Sequence, residues 1–252
     1  MTSQARESGV LNLAVLGATG RMGREIIQLM DGRKDLNLSG ASAGDAHERL
    51  GQPLTRRIKL DTPAAALADA HVAIDFSLPA GVSSHIETCC AMNVPYVCGV
   101  TGLSASHDTL MHEASQVIPV FRAPNMSIGV NLCIAAAASI AAGLAADFDV
   151  SILDIHHAGK RDVPSGTALE FGGQIEAVAT PNKVAYDSIR EGEYPGEHLV
   201  RFSLGEELIE LRHRAGSRRE FAVGALRAAA WLADQPPGLY NMRNLLDIRS
   251  SS

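Results

Sequence analysis

The feature that most restricts the fold lies near the start of the chain. A compact apolar run, Leu11–Leu16 (LNLAVL), ends at Gly17. The turn Gly17-Ala18-Thr19-Gly20-Arg21-Met22-Gly23 follows and leads into Arg21–Met30, where Met22, Ile26, Ile27 and Met30 recur at helical spacing. Strand, G-x-x-G-x-x-G turn and helix in that order form a variant of the dinucleotide-binding fingerprint. Glycine permits the tight turn and a close approach of backbone to a pyrophosphate. The helix N-terminus adds unpaired N–H groups and positive partial charge. A strand–helix turn that needs glycine only for packing has the same spelling, so the flanking pattern carries the assignment.

The first half continues the alternation. Leu36–Ala41, Val72–Phe76, Val94–Gly99 and Ile118–Phe121 read as strands, with helices at Ala64–Ala70, Gly81–Met92 and Ala105–Gln116 between them. This predicts an α/β, Rossmann-like doubly wound parallel sheet covered on both faces. After Asn125 the pattern changes. An Ala-rich helix, Val130–Ala145, precedes a strand, Val150–His156, then a loop and a helix from Ser165 to Ala179 whose expected buried side is Leu169, Phe171, Ile175 and Val178. Leu199–Leu204 and Glu207–His213 alternate as half-exposed antiparallel strands do, Arg190–His198 reads as turns, and Phe221–Leu232 is helical again. The expected division is a dinucleotide-binding domain of 1–125 plus 220–252, and a second, smaller α+β domain of 126–219 for substrate binding and oligomerisation.

Composition narrows the classes. The 252 residues include 22 Lys plus Arg and 28 Asp plus Glu, a net charge of −6, with 46% hydrophobic residues. That balance describes an ordinary globular chain. It argues against a nucleic-acid binder, since the densest basic piece, Arg214–Arg219, holds three Arg. Cys89, Cys90, Cys98 and Cys133 lack C-x-x-C spacing and read as free thiols of a reducing compartment. Residues 1–9 are polar, without the apolar core of a secretory signal, and Gly129–Ala146 reads as a buried helix, not a membrane span. The expected location is cytoplasmic, with no membrane partner.

Further candidate chemistry sits at predicted strand ends. Asp75-Phe76-Ser77 and Gly99-Val100-Thr101-Gly102 close two strands, where parallel sheets bind ligands, and Gly99 and Gly102 would let backbone approach a nicotinamide. The second predicted strand offers no acidic residue for the adenosine ribose in Ser42-Ala43-Gly44; Asp45 comes late, and Arg49, Arg56 and Arg57 lie downstream. NADH and NADPH both remain open as cofactor. His156-His157-x-x-Lys160 ends a strand ahead of Pro164-Ser165-Gly166-Thr167. A histidine donates protons near neutral pH, Lys160 adds positive charge, and the helix start is an anion cradle. The group suits a small substrate carrying carboxylates; a helix cap beside a solvated basic loop accounts for it equally well. Adjacent strand residues point to opposite faces, so the two histidines do not suit one metal, and no spacing supports His198 or His213 as a third ligand. No metal site is expected.

Together these segments resemble the dihydrodipicolinate reductase family. The resemblance runs through Gly17–Arg24, Asp75–Ser77, Gly99–Gly102, Ala123–Asn131, His156–Ala168, Gly196-Glu197-His198, Ala215–Arg218 and Gly238–Met242. It implies reduction of 4-hydroxy-tetrahydrodipicolinate to tetrahydrodipicolinate in the diaminopimelate route to lysine, with NADH or NADPH and a homotetrameric assembly through the sheet of the second lobe. By the same resemblance His156 would be the general acid and Lys160 a second proton donor and carboxylate partner. His157, Gly166 and Thr167 would hold a carboxylate of the small dicarboxylate substrate. Gly17, Ala18, Thr19, Gly20, Arg21 and Met22 would bind pyrophosphate, and Gly99, Val100, Thr101, Ala123, Pro124, Asn125 and Met126 would line the nicotinamide side. Hinges would lie near Asn125 and shortly before the last helix.

Three departures stand out. Ala43 falls where many relatives carry an acidic residue, Val100 replaces a commoner Thr, and Ala179–Ile189 is shorter than in longer relatives, trimming a hairpin. The alternatives are another two-domain nicotinamide-dependent dehydrogenase of a small carboxylate, or a dinucleotide-binding module without turnover.

Overall fold

The computed structural model describes residues 9–44, 47–193 and 196–248. It divides into two compact units. The first holds the described residues up to Met126 together with Phe221–Leu245, and the second holds Ser127–Glu220 with the described residues from Leu246. The sequence placed everything after residue 220 with the first unit. Met242 and Leu245 are its last buried side chains among the described residues, and 246–248 are intermediate or exposed.

The first unit is a seven-stranded, wholly parallel sheet. Its strands are β1 (Leu11–Leu16), β2 (Leu36–Ser42), β3 (Leu60–Asp61), β4 (Val72–Asp75), β5 (Tyr96–Cys98), β6 (Pro119–Arg122) and β11 (Gly238–Tyr240), in the order β11-β6-β5-β4-β1-β2-β3. Helices α1 (Arg21–Met30), α2 (Pro63–Leu67), α3 (Pro79–Met92) and α4 (Ala105–Ala114) are the crossovers, and α7 (Arg219–Leu232) and α8 (Met242–Leu245) come from the end of the chain. Leu13, Ala14, Val15 and Leu16 have no exposed surface, as a central parallel strand requires. Strand order reverses at β1, between β4 and β2, which is the switch point where such sheets bind ligands beyond the carboxyl ends. The Gly17–Gly23 turn emerges there.

The second unit is a four-stranded sheet of order β10-β9-β7-β8 backed by helices. It comprises α5 (Ile128–Leu144), β7 (Asp149–His156), α6 (Gly166–Glu176), β8 (Lys183–Arg190), β9 (Glu197–Leu204) and β10 (Glu207–Arg214). Val150, Ile152, Val200 and Phe202 point to the helical side and form a core with Ile134, Ala137, Phe148, Phe171 and Ile175. One residue out of phase, Leu153 and Leu199 face the other side, pair with each other, and stay half-buried.

Several boundaries depart from the sequence expectation. The strands expected to run to Phe76 and Gly99 stop at Asp75 and Cys98, where the chain turns out of the sheet. Edge strands β3 and β11 are two and three residues long, too short for a periodic signal. Strand β8 was not expected at all. It takes up most of the segment read as shortened, Ala179–Ile189, and extends to Arg190, which was read as a turn residue; it pairs in parallel with all eight residues of β7. Its inward positions are Val184, Tyr186, Ser188 and Arg190, and the last two are polar because they serve a buried carboxylate described below. Helix α6 buries Ala168, Phe171, Gly172 and Ile175, whereas Leu169 and Val178 are 50% and 40% exposed. The stripe i, i+3, i+4, i+7 starts at Ala168, which puts Leu169 on the solvent side.

Candidate functional site

In the first unit the fingerprint glycines answer three different demands. Gly17 has φ +77°, and a Cβ there would lie 2.7 Å from the backbone of Ser77. A Cβ on Gly23 would lie 2.4 Å from the Gly17 carbonyl oxygen and 2.7 Å from Ala18 Cα. Gly17 thus lets the turn pack against the backbone beyond β4, and Gly23 lets α1 pack on the turn itself. Gly20 is exposed and caps α1 without any side-chain hydrogen bond to the helix N-terminus. The turn is braced by Ala18 N–H donating to Ser42 O at 2.8 Å and Gly20 N–H donating to Gly17 O at 3.0 Å. A side-chain-free helix N-terminus behind glycines is the cradle a pyrophosphate needs, so these residues fit a dinucleotide. Thr19 and Met22 are half-buried beside it and Arg21 is exposed.

The neighbouring strand ends are also ordered. Asp75 is fully buried and accepts from Tyr96 Oη at 2.6 Å, His85 Nδ1 at 2.7 Å and Ser77 N at 2.8 Å. This fixes the Asp75–Ser77 turn against Gly17. Gly99 is required by Phe76, whose ring carbons would lie 2.3–2.9 Å from a Cβ, a reason invisible in the sequence. Gly102, at φ +74°, faces open space. Val100 is buried in the core, so only its backbone is left for a ligand, while Thr101 is exposed. Ala123 and Met126 are buried, Pro124 is exposed and Asn125 lies between. Gly224 of α7 packs on the Met126 carbonyl so tightly that a Cβ would meet its oxygen at 1.7 Å. Ala43 is buried and Gly44 exposed; Asp45 lies outside the described residues. A cavity of about 630 Å³ opens at the amino ends of β1 and β2, lined by Asn12, Asn37, Arg57 and His71. Of the three arginines considered for the adenosine end of a dinucleotide, Arg57 lines this cavity, at the amino ends of the strands and not at the carboxyl ends where the glycine turn lies.

In the second unit the predicted residues cluster. His156 ends β7 on its buried face, two residues after Asp154. Asp154 is fully buried and its carboxylate takes four donors: His156 Nδ1 at 2.8 Å, Arg190 Nη1 at 2.7 Å, Ser188 Oγ at 2.6 Å and Ser165 N at 3.2 Å. Burial alone would raise the Asp154 carboxyl, but these hydrogen bonds outweigh it and hold it below the usual range. Burial pushes His156 below its ordinary value; the positive charges of Lys160 and Arg190 act the same way, and Asp154 opposes them. His198, on β9, sets its ring edge-on to His156 at 5.2 Å and places Nε2 3.4 Å from Ser165 Oγ. Burial drives His198 down to about 3.

Ser165 caps α6, its hydroxyl accepting from Ala168 N at 3.1 Å. Gly166 opens the helix and is exposed, and Thr167 is half-buried beside it. Lys160 Nζ lies 2.9 Å from Asp162 Oδ2, and the same oxygen is 3.4 Å from Gly166 N. A carboxylate of the chain itself thus rests on the lysine and on the helix N-terminus. His157 is half-buried and turns the loop through its carbonyl, which accepts from Lys160 N at 3.0 Å. Sequence reasoning missed Asp154, Asp162, Ser188 and Arg190. Only Asp154 left a signal, lying two residues before His156 on the same strand face. Among the described residues no three His, Cys, Asp or Glu side chains gather to hold a metal.

A parallel sheet with a glycine cradle at its switch point, joined to a sheet unit carrying His, Lys and a helix N-terminus, defines a two-domain dinucleotide-dependent oxidoreductase. The chain belongs to the dihydrodipicolinate reductase family: residues 11–126 match its N-terminal domain and residues 129–246 its C-terminal domain. The 4-hydroxy-tetrahydrodipicolinate reductase of Pseudoalteromonas translucida is 34% identical over 262 residues, covering 94% of this chain and 98% of its own. That of Nitrosomonas eutropha is 37% identical over 267 residues, covering 95% and 99%. The dipicolinate-bound dihydrodipicolinate reductase from Paenisporosarcina sp. TG-14 has the same fold, with a TM-score of 0.75 at 23% identity over 92% of this chain and 97% of that one. An amine dehydrogenase from Mycobacterium smegmatis also shares it, with a TM-score of 0.65 at 13% identity over 99% of both chains. Architecture alone therefore does not separate reductase from other dehydrogenases; the sequence match to both domains does.

Proposed function

We propose that this chain reduces 4-hydroxy-tetrahydrodipicolinate to tetrahydrodipicolinate in the diaminopimelate route to lysine, using NADH or NADPH. The observation that carries it is the cluster of His156, Lys160 and the α6 N-terminus within a chain matching both domains of the family. When bound, the nicotinamide supplies the hydride. The first unit holds the pyrophosphate on Gly17–Met22, with Gly99–Thr101 and Ala123–Met126 on the nicotinamide side. The second unit takes the dicarboxylate. His157, Gly166 and Thr167 hold one carboxylate, and Lys160 neutralises charge and serves as a second donor, which favours an electron-rich ring. With Nδ1–H held by Asp154, His156 takes up a proton at Nε2 when the dicarboxylate binds beside it, and the imidazolium gives that Nε2 proton to the ring carbon beside the reduced one.

Two wider features belong to the proposal. The cysteines of the described chain are free, which suits the cytoplasm. No described helix is long and apolar enough to cross a membrane. The half-buried Leu153 and Leu199, with Leu208 54% exposed, lie on the sheet face away from the helices and suit assembly into a homotetramer. Light scattering would read the mass directly.

The test couples the preceding enzyme, which makes substrate from pyruvate and aspartate semialdehyde, to NADH or NADPH oxidation followed by absorbance. Substrate-dependent oxidation is expected, and the ratio of the two rates gives the cofactor preference. His156→Gln and Lys160→Ala should each lower kcat by about 10²–10⁴-fold with cofactor affinity intact. No turnover by wild-type protein that binds cofactor would overturn the assignment.

A further inference from the structure

For an imidazole to pass a proton to substrate, one nitrogen must be held by a fixed partner so that the other faces substrate, free to take up the proton and release it, and the ring must not rotate. Nothing in the His156–Thr167 segment itself meets that need. The groups that do are Asp154 and its partners. Asp154 sits on the same face of β7 as His156, with no exposed surface, and an ionised carboxylate only accepts. Its Oδ1 takes His156 Nδ1 and Arg190 Nη1; its Oδ2 takes Ser188 Oγ and Ser165 N. Each oxygen of the one carboxylate thus meets two donor groups, which come from β7, β8 and the cap of α6.

We infer that Asp154 is the positioning residue of this site: it fixes His156 as the Nδ1–H tautomer with Nε2 toward substrate, and ties that ring to the helix N-terminus that receives a substrate carboxylate. The inference rests on the reductase assignment for its catalytic meaning, but its geometry does not. The acceptor-only carboxylate forces a proton onto Nδ1. Through Ser165, whose N–H bonds Asp154 and whose hydroxyl caps α6, the same carboxylate sets where Gly166 and Thr167 lie. Arg190 balances the buried charge from β8. The charged and titratable groups facing His156 are Asp154 on its own strand, Lys160 on the following loop, Arg190 on β8 and His198 on β9. Of these, Asp154 is the one anion, so it alone holds up the proton affinity of His156.

Two variants and one spectrum test this. Asp154→Asn keeps the size but offers one acceptor and a donor in place of an acceptor-only group. Asp154→Glu keeps the charge. Nitrogen-15 histidine spectra of the wild-type protein, free of substrate, should show His156 as Nδ1–H; an Nε2–H tautomer would overturn the inference whether or not any variant folds. In Asp154→Asn the His156 signal should move to the Nε2–H form and its titration to lower pH. The kcat should fall about 10²–10⁴-fold, the range of a misplaced acid–base group, while the Kd for NADH or NADPH stays unchanged. Asp154→Glu should recover the Nδ1–H tautomer and part of the rate. An Asp154→Asn protein with wild-type tautomer and pH profile, altered only in Tm, would reduce Asp154 to a structural role and overturn the inference. Failure of the reductase assignment would show separately, as absent turnover in a wild-type protein whose tautomer is as stated.

Discussion

Replacing Gly23 by Ala separates what the glycine turn does for the fold from what it does for a dinucleotide. Gly23 lies in the first turn of α1 with a helical backbone, where alanine would normally add about 0.5–1 kcal/mol of stability. Here the new Cβ would lie 2.4 Å from the Gly17 carbonyl oxygen, and ordinary contact begins near 3.4 Å, so helix and turn must separate by about 1 Å (3.4 − 2.4). The obstructing atoms are backbone, braced to Ser42 and Gly20, and no rotamer change removes them. Overpacking of this kind costs about 1–3 kcal/mol, leaving roughly 0–2 kcal/mol lost after the helix gain. For a chain of this size that is a Tm fall of several degrees at most. Cofactor affinity should suffer more. A shift of about 1 Å takes a phosphate hydrogen bond out of range, and a charge-assisted bond is worth about 1.5–3 kcal/mol, or roughly 10–100-fold in Kd. The assay is fluorescence titration with NADH and NADPH beside thermal unfolding. Gly173→Ala is the control, since its Cβ on α6 meets nothing within 4 Å, and it should raise Tm without touching cofactor affinity. Gly23→Ala protein that binds both cofactors like wild type, with an unchanged or higher Tm, would refute the role given to this contact.

Three further outcomes follow from the second unit. Burial, Lys160 and Arg190 hold His156 below 6.5, so it is neutral in the free protein at pH 7.5; a dicarboxylate bound beside it raises its proton affinity. Calorimetric titration with dipicolinate in buffers of different ionisation enthalpy should therefore reveal uptake of up to about one proton, lost in His156→Gln. Heats independent of buffer would contradict this. His198 is held at about 3 against an ordinary 6.5, so the stability tied to its neutral form is complete above pH 6.5 and declines as pH falls toward 3. Between pH 6.5 and 5 the loss from this group is about 2 kcal/mol, and denaturant titrations should show a flatter slope in His198→Asn. Equal slopes would contradict the assignment. Asp162 competes with a substrate carboxylate for Lys160 and Gly166 N, but it is more than half exposed and such ion pairs contribute at most about 1 kcal/mol. Asp162→Asn should bind dipicolinate more tightly, by no more than about fivefold, and weaker binding would show that Asp162 helps build the site.

The parallel sheet and the glycine turn at its switch point were legible in the sequence, the turn because strand, glycines and helix follow one another directly, the sheet because the same alternation repeats through Phe121. A fully apolar run, three glycines at fixed spacing and a helical repeat all lie in Leu11–Met30. The same holds for His156, Lys160, Gly166 and Thr167, which a strand end, a proline and a helix cap bring together locally. What each glycine touches was not legible. Gly99 yields to Phe76 and Gly17 to Ser77, neighbours only after β1, β4 and β5 pair. Nor was strand β8, whose inward Ser188 and Arg190 break the apolar alternation that marks a strand. How His156 is held depends on contacts far apart in the chain. The partners of Asp154 lie 2, 11, 34 and 36 residues away, and a polar residue facing a core gives no local sign of the carboxylate that satisfies it. Periodicity records which face of an element is buried; it does not record which buried polar groups meet, because that depends on strand register set by the whole sheet.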